Sequence, residues 1–136
     1  MKRFLLITSL FLISSTGVFA QDDDDQHEGN ERIRDKMNEY VQKRLDLTDA
    51  EAKKFTPVFL SYFKEWKQTI RANRDDKLVR QQKIIDLRLR FRTQFRDIIG
   101  EQRGNQVFNH VDRFILELKA IQKNRLRDNP RPRRGG

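Results

Sequence analysis

The chain has no cysteine among its 136 residues. No disulfide can staple the fold, and thiol chemistry and thiolate metal sites are excluded. No acylation site for a lipoprotein exists either. Histidine is nearly as scarce: His27 and His110 are the only two. No His-x-x-x-His or Glu-x-x-His spacing accompanies them, so a zinc site has no seed, and His110 reads as a surface or interface residue. A Gly-rich phosphate loop and a serine elbow are also missing. The chain is therefore read as a non-enzyme without cofactor or metal. Long hydrophobic runs are absent too. The longest, Phe4 to Ile13, is too short to span a bilayer, which takes about 20 residues.

That short run has a different meaning. Lys2 and Arg3 precede it as a positive segment, and Ser14 to Ala20 follow as small and polar residues, with Val18 and Ala20 where signal peptidase reads the −3 and −1 positions. Residues 1–20 read as a cleaved secretory signal, and Gln21 as the first mature residue. The 29 Lys and Arg outweigh the 20 Asp and Glu by nine, and removal of Lys2 and Arg3 leaves +7. In the cytosol an Arg-rich helical protein would suggest nucleic acid. Export removes that partner and points instead to other acidic or unfolded ones. The remaining length suits one small domain with a thin core.

Gln21 to Asn30 contains Asp22, Asp23, Asp24 and Asp25 in a row and reads as a disordered acidic leader. A calcium loop would need a glycine turn and a spaced bidentate carboxylate, which this run lacks. From Glu31 the apolar residues Ile33, Met37, Tyr40, Val41 and Leu45 recur at helical spacing, predicting a helix over 31–46. Thr48, with Glu51 three residues later, forms a capping box that starts a second helix over 48–72. Its apolar face is Phe55, Val58, Phe59, Tyr62, Phe63, Trp66 and Ile70. Pro57 should remove one backbone hydrogen bond and kink this helix without ending it, and Trp66 is expected as the buried anchor of the core.

Asp75 or Asp76 can cap a third helix over 76–99. Leu87 to Arg92 alternates apolar and basic, a strand signal, but neither Gly nor Pro bounds the run and its flanks keep a helical period. Read as a helix, the segment carries two apolar stripes. Ile84, Leu87, Phe91, Phe95 and Ile98 form the packing face. Leu78, Ile85 and Leu89 form another, shared with Arg88, Arg92 and Arg96. Gly100 breaks the chain before a fourth helix over 101–126, with Val107, Val111, Phe114, Leu118 and Ile121 on one face, Phe108 and Ile115 beside it, and Gly104 weakening its first turn. Residues 127–136 read as a disordered basic tail, able to touch a membrane surface. The expected fold is all-α: four amphipathic helices with no strand.

The second stripe of the third helix needs a partner. Leu78, Ile85 and Leu89 are unaccounted for in a simple hairpin pack, which predicts a homodimer. Arginine dominates the helix, as Arg80, Arg88, Arg90, Arg92 and Arg96 against Lys77 and Lys83. Guanidinium groups bind carboxylates, aromatics and backbone oxygens through a planar fork. Ile85, Arg88, Leu89, Arg92 and Arg96 are therefore the candidate surface for holding a partly unfolded chain.

The stretch Leu45-Asp46-Leu47-Thr48-Asp49-Ala50-Glu51 resembles the LTxxQ-type motif of the Spy/CpxP family of periplasmic proteins, with Leu47 and Thr48 as its Leu-Thr pair and Glu51 at the usual Gln. Ile98-Ile99-Gly100-Glu101-Gln102 falls where a second copy belongs, with Ile-Gly replacing Leu-Thr. Phe55 to Tyr62 is similar to the helix after the first motif in divergent members. The resemblance covers roughly residues 31–125. It implies antiparallel hairpins assembled as a cradle-shaped homodimer in the periplasm, with a concave basic and apolar surface. Members include ATP-independent chaperones and dampers of an envelope-stress sensor. Metal-sensing relatives need a set of His and Met ligands, and two His and one mature Met, Met37, do not make one.

Three functions follow as expectations. The first is a periplasmic chaperone or stress-response protein whose partners are unfolded or partly folded envelope proteins. The second is a regulatory adaptor binding the periplasmic part of a membrane signalling protein, such as a stress sensor or an anti-sigma factor. The third is an envelope protein whose basic tail binds anionic lipid or polysaccharide.

Overall fold

The computed structural model describes residues 21–129, with side chains described from Glu28 onward. The expected signal, 1–20, and nearly all of the expected basic tail lie outside the described residues. Those described form four helices and no strand: α1 (Gln21–Arg44), α2 (Asp49–Ala72), α3 (Lys77–Ile99) and α4 (Glu101–Asp128). The alternating run Leu87 to Arg92 lies within α3, so the helical reading of it holds. Leu87 and Phe91 face the core while Leu89 points outward.

Capping chemistry sets the boundaries. Thr48 accepts the backbone N–H of Glu51, and the Glu51 carboxylate accepts the N–H of Thr48, both at 3.2 Å. Asp76 caps α3 by accepting from the N–H of Val79 at 3.0 Å. Between α1 and α2 the chain turns at Asp46, held in the left-handed region at φ 51°. Between α3 and α4 a single residue, Gly100, makes the whole connection at φ 87° and ψ 164°, a region essentially restricted to glycine. α2 runs through Pro57. The proline is exposed, so the carbonyl it leaves unbonded one turn earlier can meet water.

α1 starts at Gln21 and takes in residues 21–30, which composition alone suggests as an unstructured leader. No proline interrupts this segment, acidic residues suit the positive end of a helix dipole, and Glu28 pairs with Arg32 one turn on at 2.5 Å.

The core is aromatic and confined to one end. α2 contributes Phe55, Phe59, Tyr62 and Phe63; α3 contributes Leu87, Phe91, Phe95 and Ile99. Val107, Phe108 and Val111 come from α4, and Met37, Val41 and Leu45 from α1. Phe55 meets Phe95 with ring centroids 4.9 Å apart, and Tyr62 meets Phe91 at 5.6 Å and Phe108 at 5.0 Å. Residue numbers thus rise along α2 as they fall along α3. α1 packs on α2 and α4 and not on α3.

None of these buried residues lies in 64–86 or 112–129. That distribution corrects the expectation for Trp66. It is half-buried at the edge of the core, against Phe63 at 5.5 Å. The stripe of α2 continues in phase, but the packing beneath it has run out, and Tyr62, fully buried, is the anchor instead. On α3 the core row ends on Ile99, with Ile98 partly buried beside it.

Candidate client-binding surface and the charge network around it

Ile85 and Leu89 sit on the outer face of α3 with 53% and 48% of their surface exposed, and Leu78 is more exposed still. α4 adds Leu116, Ile121 and Leu126, all exposed. Ile121 was expected on the packing face of α4, but the core ends near Val111 and leaves it uncovered. Leu78, Ile85 and the three α4 residues lie on stretches that outrun the core, while Leu89 lies on the face of α3 opposite the core row.

The three arginines assigned to this face are not equivalent. Arg88 reaches back into the fold. Its two Nη atoms donate to the Asp112 carboxylate at 3.1 and 2.7 Å, and its Nε donates to the Tyr62 hydroxyl at 3.3 Å. Its guanidinium also lies 5.2 Å from the centre of the Phe108 ring. One side chain therefore ties α2, α3 and α4 together. Burial pushes the Tyr62 phenol above its ordinary range, against the opposing pull of Arg88. Burial works to lower the Arg88 pKa, and its bonds to Asp112 and Tyr62 more than offset that. Arg96 pairs with Glu101 at 2.7 Å across the Gly100 turn. Arg92, half-buried, is the one of the three with no ion pair among the described residues. Periodicity places all three along one row, but carboxylates on other helices decide which of them are spoken for.

The motif residues Leu47, Thr48 and Glu51 lie at the opposite, well-packed end. Leu47 packs on the core. Beyond closing the capping box, Glu51 makes a bidentate ion pair with Arg103 of α4, one arm at 3.1 Å. The Arg103 Nε also donates to the carbonyl of Ile99 at 3.1 Å. The hydrogen bonds from Arg103, then the backbone bond at Thr48, hold the Glu51 carboxyl below its ordinary range. The second, degenerate motif has no such box: at Gly100 no side chain caps α4.

Sequence reasoning did not single out a second basic feature. A cleft of about 510 Å³ opens between α1 and α2, lined by Leu60 and Phe63 and rimmed by Arg34, Lys64, Lys67 and Arg71. Its signal is the spacing of the three α2 cations, at i, i+3 and i+7, which falls among many other charges. Among the described residues no group of side chains is arranged to hold a metal, and no helix is long and apolar enough to cross a membrane. Comparison with protein-family models, characterised proteins and solved structures returns no match.

Proposed function

We propose that this chain is an exported, periplasmic, ATP-independent chaperone or envelope-stress protein of Spy/CpxP type. In this reading its helices pair as antiparallel hairpins and the chain assembles as a cradle-shaped homodimer. Unfolded or partly folded envelope proteins are its clients, held by the outer face of α3. The observation that carries the reading is the exposed row Leu78, Ile85 and Leu89 beside Arg92, which has no ion pair among the described residues. Uncovered apolar side chains next to a cation suit weak, sequence-tolerant capture of apolar segments, with charge steering the encounter.

The test is the aggregation of an unrelated denatured protein, followed by light scattering without ATP. Wild-type protein at a several-fold molar excess should slow aggregation. Ile85→Ser/Leu89→Ser should shorten the life of the complex, because apolar contact governs release. Arg92→Gln should slow capture and reduce its dependence on salt. Wild-type protein that leaves aggregation unchanged would remove the chaperone reading and favour the regulatory adaptor, which should bind the periplasmic part of one membrane signalling protein and ignore denatured clients.

A further inference from the structure

We infer that the client surface spans two helices: Leu116 of α4 completes the apolar floor begun by Ile85 and Leu89, Arg113 and Lys119 of α4 join Arg92 as its positive border, and its occupant is a short extended segment carrying apolar and acidic side chains. The inference rests on the client-binding reading above and names the other half of that site.

The register of α3 and α4 places Leu116 there. Gly104 lies against Arg96, Phe108 against Phe95 at 5.9 Å, and Asp112 against Arg88 at 2.7 Å. The two helices are therefore antiparallel, and the Arg88–Asp112 pair bridges them at the surface. Ile85 stands three residues before Arg88, and Leu116 four residues after Asp112. Residues at these spacings are neighbours on one helix face. In antiparallel helices both steps run the same way, by about 4.5 and 6 Å. Ile85 and Leu116 thus flank the α3–α4 groove at one level, on the same side of the bridge. Leu116 is 67% exposed. Leu126 is as open, but the register sets Lys123 level with Lys77, the first residue of α3, so Leu126 lies past the end of that helix.

The border selects the occupant. Arg113 and Lys119 flank Leu116 three residues to either side, and Arg92 stands three residues beyond Leu89. None of the three has an ion pair among the described residues. The nearby carboxylates are engaged. Asp112 holds Arg88, and Glu117 accepts from the Tyr40 hydroxyl of α1 at 3.1 Å. Asp86 accepts from Gln82 at 3.2 Å and lies one turn from Arg90, on the side of α3 that pairs with α2. A second copy seated here would make an isologous contact and set Arg92, Arg113 and Lys119 against their like. A segment bearing carboxylates is instead attracted. The floor is also short. The next member of the α3 row, Leu78, is seven residues from Ile85, about 10 Å along the helix, beyond Gln81 and Gln82. A docked helix needs anchors continuing at i, i+3, i+4 and i+7, which this floor does not offer. Ile85 and Leu89 are about 6 Å apart along α3, close to the roughly 7 Å between alternate side chains of an extended chain. Two alternate apolar side chains can therefore rest on them, with Leu116 closing the other wall.

The test is fluorescence anisotropy of a short labelled peptide alternating Leu with Asp, titrated with the chain beginning at Gln21 in low and high salt, beside a companion peptide alternating Leu with Lys. Wild type should bind the Leu/Asp peptide at least about tenfold more tightly than the Leu/Lys peptide. Leu116→Ser should weaken that binding about fivefold or more, as Ile85→Ser does, the order expected for a partly covered apolar side chain. Leu126→Ser should leave it unchanged. Arg113→Gln/Lys119→Gln should erase most of the preference for the acidic peptide and its salt dependence. These positions are exposed, so circular dichroism and the urea midpoint should stay as in wild type. A wild type that neither binds the Leu/Asp peptide nor slows aggregation would remove the client reading and this platform together. A wild type that slows aggregation but ignores the Leu/Asp peptide, or that is impaired by Ile85→Ser and not by Leu116→Ser, would keep the reading and overturn the platform. Equal affinity for the Leu/Lys peptide would overturn the acidic client. A wild-type dimer that Ile85→Ser/Leu116→Ser converts to monomer in sedimentation would give this face to a second copy and overturn the inference as well.

Discussion

Replacing Gly104 with alanine should loosen the contact between α3 and α4. A Cβ at this position would stand 2.6 Å from Cγ of Arg96 and 2.7 Å from its Cα and backbone nitrogen. Ordinary carbon contacts begin near 3.5 Å, so the helices must part by roughly 0.8 Å on that scale. Two of the three clashing atoms are backbone, so no rotamer change relieves them. Phe95 and Phe108, whose rings meet at 5.9 Å across the same pair of helices, would lose close packing. Helix propensity alone favours alanine over glycine by about 1 kcal/mol, while overpacking a tight contact costs about 1–3 kcal/mol. With backbone atoms in the clash the steric term falls in the upper part of that range, about 2–3 kcal/mol, leaving a net loss of about 1–2 kcal/mol. For a domain of this size that lowers the thermal midpoint by roughly 5–10 °C. Thermal and urea unfolding followed by far-UV circular dichroism would measure it. Arg96→Ala should not rescue the variant, because it removes Cγ and leaves Cα and the nitrogen in place. A Gly104→Ala protein as stable as wild type, or more so, would refute the close approach and return Gly104 to the weak first-turn residue suggested by composition.

Four further outcomes are expected. Thr48→Ala should lower stability by about 0.5–2 kcal/mol through loss of the cap, and an unchanged urea midpoint would place the start of α2 elsewhere. Arg88→Ala should lose about 2 kcal/mol by leaving Tyr62 and Asp112 without their partner, whereas Arg92→Gln should stay within about 0.5 kcal/mol of wild type; equal effects in urea unfolding would deny the network. Tyr62→Ala should lose about 3–5 kcal/mol and Trp66→Ala less, and tryptophan fluorescence should report partial exposure; a blue-shifted, quencher-resistant Trp66 would contradict the short core. Glu51 has its folded pKa depressed by Arg103 and Thr48 below the ordinary 4.5. Its contribution is therefore complete above that value and is lost as pH falls through the folded pKa, so Glu51→Gln should flatten the acid limb of the stability curve, and an unaltered limb would count against the ion pair.

Local physics fixes much of this protein along the chain. The Thr48–Glu51 box, the Asp76 cap and Gly100 mark helix boundaries because capping is chemistry between residues three or four apart. The 3.6-residue period likewise finds the rows Phe55–Phe59–Tyr62 and Leu87–Phe91–Phe95 and rejects a strand at Leu87 to Arg92. Tertiary structure decides how far each row stays covered. Trp66 and Ile121 follow the same periods as buried residues but lie where the helices outrun the core, and periodicity carries no information about where a partner helix ends. It also decides which charges are free. Arg88 and Arg96 look like Arg92 in sequence, yet Asp112, 24 residues away, engages one, and Glu101, brought back by the Gly100 turn, engages the other. Lys64, Lys67 and Arg71 look like any solvated lysines and arginines until α1 forms the other wall of their cleft. Charge pairing depends on distances across helices, and those are set by packing rather than by order along the chain.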